Sequence, residues 1–282
     1  MLLACSHALL AGVGEARDAL YETFALMERH FWQPEFGLYA DEADAHSHLT
    51  DYRGQNANMH ATEACLAAFE ATRDERFLDR VTLLADHIVQ RQTAQTDGLM
   101  IWEHYRADRS IDWGYNRHDS SDIFRPWGYQ PRHFTKWAKL LLILERHRPL
   151  PWLLRRAEAL FERALARAWG AEYGSVFYGF GPDFAVCDDR KYHCVQAETL
   201  ACAALLGART GNAVCRDWYD HLWAYCWQNW IDHRHGAWLR SLSRTNVNTT
   251  DEKSPAGEVD HHTMGACCGI VGALKHTSPA GR

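Results

Sequence analysis

Apolar residues recur three and four positions apart through most of the chain, and apolar/polar alternation is confined to short pieces. This spacing predicts helices at about 1–11, 15–31, 56–72, 75–92, 130–147, 151–169, 194–209, 212–231 and 260–275, and no sheet of any size. The stops are chemically sensible: Gly12, the Arg73-Asp74 turn, the Pro149-Leu150-Pro151 break and Gly211. The fold class expected is all-α, with about nine helices.

The connections between these helices repeat. Four of them set a glycine before apolar or aromatic residues: Phe36-Gly37-Leu38-Tyr39, Asp97-Gly98-Leu99-Met100, Tyr173-Gly174-Ser175-Val176 and His235-Gly236-Ala237-Trp238. Each is followed by a polar, aromatic-rich loop and then by a helix expected to open with histidine: His60, His133, His193 and His262. Helical hairpins that each bury one stripe must pack side by side, and a closed toroid removes their exposed ends. In such a ring the long loops and the four histidines face one mouth.

Composition narrows the function. Against 36 acidic residues the chain carries 30 Lys and Arg, a net charge of −6, which excludes a strongly basic nucleic-acid binder. No stretch approaches the roughly 18 uninterrupted apolar residues of a membrane span. The nine cysteines include no CxxC pair and mostly sit in apolar helical stretches, so they read as small buried hydrophobes in a reducing, cytoplasmic compartment. Seventeen His and twelve Trp suit a cleft for a polar, ring-shaped ligand. The 282 residues are expected to form a single domain.

Several segments together resemble the N-acylglucosamine 2-epimerase superfamily. They are Tyr52-Arg53-Gly54-Gln55-Asn56-Ala57-Asn58-Met59-His60-Ala61-Thr62-Glu63-Ala64, Phe124-Arg125-Pro126-Trp127-Gly128-Tyr129-Gln130-Pro131 with His133 and Trp137-Ala138-Lys139-Leu140-Leu141, Lys191-Tyr192 with Gln196-Ala197-Glu198, and Asp260 with His262-Thr263-Met264-Gly265-Ala266-Cys267. Within that superfamily the likeness is greatest to bacterial aldose–ketose isomerases acting on mannose. The resemblance implies an (α/α)6 toroid, a monosaccharide substrate, no cofactor, no metal, a homodimer, and His133 and His262 as the acid/base pair.

The chemistry agrees with that implication. Moving a carbonyl between C1 and C2 of a sugar means removing a weakly acidic proton, holding an enediolate and returning a proton elsewhere. Imidazole titrates near pH 6.5, so two histidines can serve as base and acid without a metal. Arg53 and Arg125 can fork onto vicinal sugar oxygens. His60 lies three residues before Glu63 on one helical face, and a hydrogen-bonding role toward sugar hydroxyls is the better reading than metal ligation. Trp127, with Trp113 and Trp102, comes from the longest loop, where a ring can stack on a sugar face. Gln196 is a substrate-side polar candidate and Glu198 a supporting one.

Departures from the superfamily pattern gather at the same place. Where it reads Gly-His-x-x-Glu-Trp, this chain has Arg132-His133-Phe134-Thr135-Lys136-Trp137, and His261 and Cys268 replace expected aromatic residues. A lysine one turn after the acid/base histidine should oppose its basicity, where a carboxylate would support it. Three other readings follow: a 2-epimerase of N-acylated sugars using the same pair, an inverting glycoside hydrolase, and a truncated, inactive sugar-binding relative. The last is also suggested by the helix count, since a sixfold ring has twelve helices and the first three or so are expected to be missing.

Overall fold

The computed structural model describes residues 1–122, 124–253 and 261–277, and the helical periodicity is realised almost everywhere within them. Nine α-helices stand among the described residues: α1 (Leu2–Leu10), α2 (Ala16–His30), α3 (Gln55–Thr72), α4 (Glu75–Ala85), α5 (Pro131–His147), α6 (Leu153–Ala168), α7 (His193–Thr210), α8 (Ala213–Asn229) and α9 (His261–Thr277). The short alternating pieces become four two-stranded antiparallel ribbons. β1 (Trp32–Gln33) pairs with β2 (Leu38–Tyr39), β3 (Arg53–Gly54) with β4 (His104–Tyr105), β5 (Gly179–Phe180) with β6 (Val186–Asp188), and β7 (Lys191–Tyr192) with β8 (Ser241–Leu242). None of the described helices is long and apolar enough to cross a membrane.

One helix differs from expectation. The segment 75–92 is α-helical only to Ala85 and continues as a π-helix over Asp86–Gln92. The Asp86 carboxylate accepts hydrogen bonds from Gln90 Nε2 (3.1 Å) and Arg91 Nε (2.7 Å), four and five residues on, a reach that suits the wider turn. Hydrophobic spacing does not register such a change, because the apolar face of the segment is almost unaltered.

The repeated glycines all take the left-handed conformation, with φ of 64°, 69°, 70° and 76° at Gly37, Gly98, Gly174 and Gly236. Past three of them the chain doubles back: Trp32 faces Tyr39, Trp169 bridges Val176, and Ile231 bridges Trp238. The joints of two hairpins also match. Arg73 (φ 61°) ends α3 and Asp74 Oδ1 accepts the Arg76 amide to start α4, while Gly211 (φ 69°) ends α7 and Asn212 Oδ1 accepts the Val214 amide to start α8.

Cα proximity divides the chain into two compact units, Met1–Arg117 with Ile143–Leu153, and His118–Leu142 with Leu154–Arg282. In the first, α3 packs against α1 and α4, and its buried Ala61, Ala64, Cys65, Ala67 and Ala68 let those neighbours approach closely. Outside this helix, Phe24 of α2 stacks on Phe77 of α4 at 4.7 Å, and Arg80 lies 3.3 Å over the Trp32 ring while pairing with Glu28. In the second unit α7 plays the central part. It packs against α8 and α9 and buries 15 of its 18 residues, so it is enclosed on every side.

Six of the nine free cysteines are buried as expected, Cys187 is half-buried, and Cys267 and Cys268 are exposed on α9. That helix buries Thr263, Ala266, Ile270 and Ala273, spaced three and four apart, and exposes Met264, Val271 and Leu274. Loss of the α4 cap tests the hairpin joint: Asp74→Ala should lower unfolding stability by about 1 kcal/mol in urea titration, with little change in the slope.

Candidate active site

The second unit holds three of the four repeat histidines. Gly128 sits at φ 109°, and a Cβ there would lie 2.9 Å from the Phe180 carbonyl oxygen, so only glycine lets Tyr129 pair with Phe180 through two backbone hydrogen bonds of 2.8 and 3.2 Å. Stacking of Tyr129 on Phe180 and edge contact with Phe134 fix the entry to α5. Pro131 then begins the helix, where its missing N–H costs nothing. His133 follows two residues later, buried, with its backbone N–H on the Gln130 carbonyl at 2.9 Å.

From there α5 and α7 meet along a polar seam inside an otherwise apolar core. Arg132 reaches Cys194 Sγ at 3.6 Å and lies 5.2 Å from the Tyr178 ring, and Thr199 Oγ1 donates to Thr135 Oγ1 at 3.4 Å. The seam is densest at Glu198, whose side chain is only 1% exposed. Lys139 Nζ lies 2.5 Å from Glu198 Oε2, Lys136 Nζ lies 3.8 Å from Oε1, and His262 Nδ1 from α9 lies 2.7 Å from Oε1. Lys136 is as buried as the carboxylate it faces. The carboxylate expected one turn after His133 is thus absent from α5, and another is presented by α7.

Protonation states follow from this packing. Burial opposes the Glu198 charge, but the Lys139 and Lys136 ammonium groups and the His262 hydrogen bond outweigh it and hold the carboxyl well below its usual range. An ionised carboxylate only accepts, so His262 Nδ1 is the donor and Nε2 carries the lone pair. Burial lowers His262 first. The Glu198 hydrogen bond and charge pull the other way, Lys136 and His261 add to the lowering, and the imidazole is left at about 3, neutral at physiological pH.

Other candidates have different surroundings. His193, the first residue of α7, turns its Nδ1 to the Arg240 carbonyl oxygen at 3.1 Å and so secures the β7–β8 ribbon. Gln196 is fully buried with both ends of its amide on Val176, accepting its N–H at 3.2 Å and donating to its carbonyl at 2.9 Å, so it holds the turn after Gly174. Arg125 and Trp127 are half-buried near the start of α5, the latter packed on Gly181. Asp260 lies outside the described residues.

In the first unit Arg53 is buried and its guanidinium donates to Gln33 Oε1 at 3.0 Å, to the Tyr52 carbonyl at 2.8 Å and to the Thr50 carbonyl. Arg109 shares the same Gln33 oxygen at 2.7 Å. His60 occupies the second turn of α3 and does not open it, because the helix starts at Gln55; its Nδ1 lies 3.5 Å from Glu63. Trp102 is wholly buried, its indole N–H on the Asp112 carbonyl at 3.1 Å, whereas Trp113 is exposed and packs on it at 4.6 Å.

Two residues of this architecture lacked an assigned role in the sequence. Lys139 had a signal, being a charge inside the run Trp137-Ala138-Lys139-Leu140-Leu141, where only a paired ammonium can be buried. Lys191 had none. It is wholly buried on β7, donates to Asn246 Oδ1 at 2.6 Å, and is pushed down to about 8 by burial and then by Arg244.

Residues 1–266 match the family model described as N-acylglucosamine 2-epimerase (GlcNAc 2-epimerase). The chain belongs to the N-acylglucosamine 2-epimerase family. The D-mannose isomerase of Marinomonas mediterranea is 45% identical over 275 residues, covering 97% of this chain and 70% of that protein. The D-mannose isomerase of Thermobifida fusca is 36% identical over 249 residues, 87% of this chain and 61% of that one. The chain therefore spans between 61% and 70% of the length of these family relatives. A crystal structure of D-mannose isomerase superposes with a TM-score of 0.95 at 45% identity, over 97% of this chain and 70% of that one. The cellobiose 2-epimerase of Spirochaeta thermophila superposes at 0.81 with 18% identity, over 98% and 69%, which shows the fold alone. The fold class is accordingly the all-α, (α/α)6-toroid type that the resemblance implied.

The Glu198–His262 pair makes stability pH-dependent. Both groups have folded-state pKa values below their unfolded ones, so the unfolded chain binds more protons and stability falls as pH drops: from about 6.5 downward for His262 and further below about 4.5 for Glu198. Each group has a limiting slope of about 1.4 kcal/mol per pH unit. Thermal melts should show Tm decreasing from pH 7 to pH 5, and His262→Gln should flatten that decrease; a wild-type Tm constant over the interval argues that folding leaves the His262 pKa unshifted, and one that rises argues for a charged His262.

Proposed function

We propose that this protein is a sugar isomerase that interconverts a mannose-like aldose and its 2-ketose through a cis-enediol, with His133 and His262 as the acid/base pair. The observation that carries the reading is the hydrogen bond from His262 to the buried Glu198, because it puts the proton of a neutral imidazole on Nδ1 and the lone pair on Nε2. Family membership and the two D-mannose isomerase relatives support the substrate class.

In the forward direction the base takes the C2 proton of the open-chain aldose while the carbonyl oxygen at C1 gains a proton, giving the enediol. Return of a proton to C1 and loss of the one on the C2 oxygen give the ketose. No electrons enter or leave, so the step needs no redox partner. Proton transfer of this kind accounts for about 10²–10⁴-fold of the rate, and donors to the enediolate oxygens supply the remainder. Half-buried Arg125 and Trp127, beside the start of α5, are the described candidates in the same unit for holding the sugar.

Epimerisation at C2 is the second reading, favoured by the family description itself. It uses the same abstraction but returns the proton to the opposite face of C2. Incubation with mannose in heavy water separates the two. The isomerase reading expects fructose carrying deuterium at C1, and His133→Ala and His262→Ala should each lower kcat/KM by about 10²-fold or more. Glucose labelled at C2 without fructose supports the epimerase, and unchanged rates in both variants remove the histidine pair.

A further inference from the structure

The Glu198 carboxylate is met at both oxygens from two different helices, by an ion pair at Oε2 and a hydrogen bond at Oε1. Lys139 of α5 occupies Oε2 at 2.5 Å, and His262 of α9 occupies Oε1 at 2.7 Å. A carboxylate held at one oxygen can turn about its Cγ–Cδ bond; one held at both cannot, and the imidazole plane is then fixed through it. Lys139 cannot be there for solubility, since its side chain is 8% exposed, nor can a buried ammonium persist without an anion. The charged and titratable groups around Glu198 are Lys136 and Lys139 from α5, Cys202 on its own helix, and His262, with His261 beside it, from α9.

We propose that Lys139 is a positioning residue that acts on His262 through Glu198: by holding Oε2 it directs Oε1 to Nδ1, fixes the Nδ1–H tautomer, and keeps the pair from taking up a proton, so that Nε2 stays a base. The proposal deepens the isomerase reading, on which only its kinetic readout rests. Lys136 has a related but distinct part, because its ammonium lies on the Oε1 side and acts on His262 directly. In this role Lys139 acts on His262 through the Glu198 carboxylate.

Removing the Lys139 charge leaves Glu198 less neutralised, so it draws a proton onto His262 at higher pH. Four variants test this: Lys139→Met, Lys139→Arg, Glu198→Gln, and Lys139→Met combined with Glu198→Gln. The first readout is the nitrogen chemical shifts of His262 titrated by NMR. In the wild type they should report a neutral Nδ1–H imidazole through pH 5, and in Lys139→Met the protonation midpoint should rise by about one pH unit or more. The second is the pH profile of mannose conversion. Its acid limb should move up with the NMR midpoint, lowering kcat by up to about tenfold at the foot of that limb while kcat at pH 7 and KM stay nearly unchanged, and Lys139→Arg should restore the limb.

The double variant removes the Lys139 ammonium and the Glu198 carboxylate together, so its comparison with Glu198→Gln serves if Lys139→Met fails to fold. Action through Glu198 requires that Lys139→Met add nothing to the His262 midpoint of Glu198→Gln alone; an additive shift overturns the proposal. So does an unchanged His262 midpoint in Lys139→Met. If the wild type converts no aldose while the NMR coupling is present, the isomerase reading fails and the positioning role stands.

Discussion

The second unit is organised around one buried negative charge. A carboxylate removed from water costs several kcal/mol unless its lone pairs are met, and Glu198 is met on both oxygens by groups from two other helices. That requirement ties α5, α7 and α9 to one register. Sliding α7 by a single residue against α5 would place Glu198 opposite apolar side chains and leave Lys136 and Lys139 buried without an anion. The same charge sets the tautomer of His262, since it holds its proton on Nδ1.

Around that point the architecture supplies a dry and rigid setting. Alanine, cysteine and glycine on the enclosed helix α7 allow α8 and α9 to come close, and the seam with α5 replaces water by threonine, cysteine and two ammonium groups. In a low-dielectric setting each of these interactions is stronger than at the surface, and each missing partner is costlier. The first unit has its own polar network, in which Gln33 joins Arg53 and Arg109 and the Arg53 fork also closes on two backbone carbonyls.

Much of this was legible in the sequence because it depends on local periodicity. The nine described helices lie within two residues of their expected bounds apart from the π-helical end after α4, and the four repeat glycines all have positive φ. Less was legible where residue type and direction part company. Gln196 stands in the right segment but is turned to Val176, and Arg53 is turned to Gln33, because the nearest unsatisfied groups there are protein atoms. Lys136, which as a sequence departure opposes basicity at its position, lies instead beside a carboxylate contributed by a helix some sixty residues further on.

The sequence by itself determined the helices, their caps and turns, the family and the acid/base candidates, since each rests on neighbours a few residues apart or on motifs with fixed spacing. Only the tertiary structure decided which charges meet. Partners such as Lys139, Glu198 and His262 are far apart along the chain and close only once the helices pack, and burial, which strengthens their coupling and governs where their protons reside, is a property of the packed core.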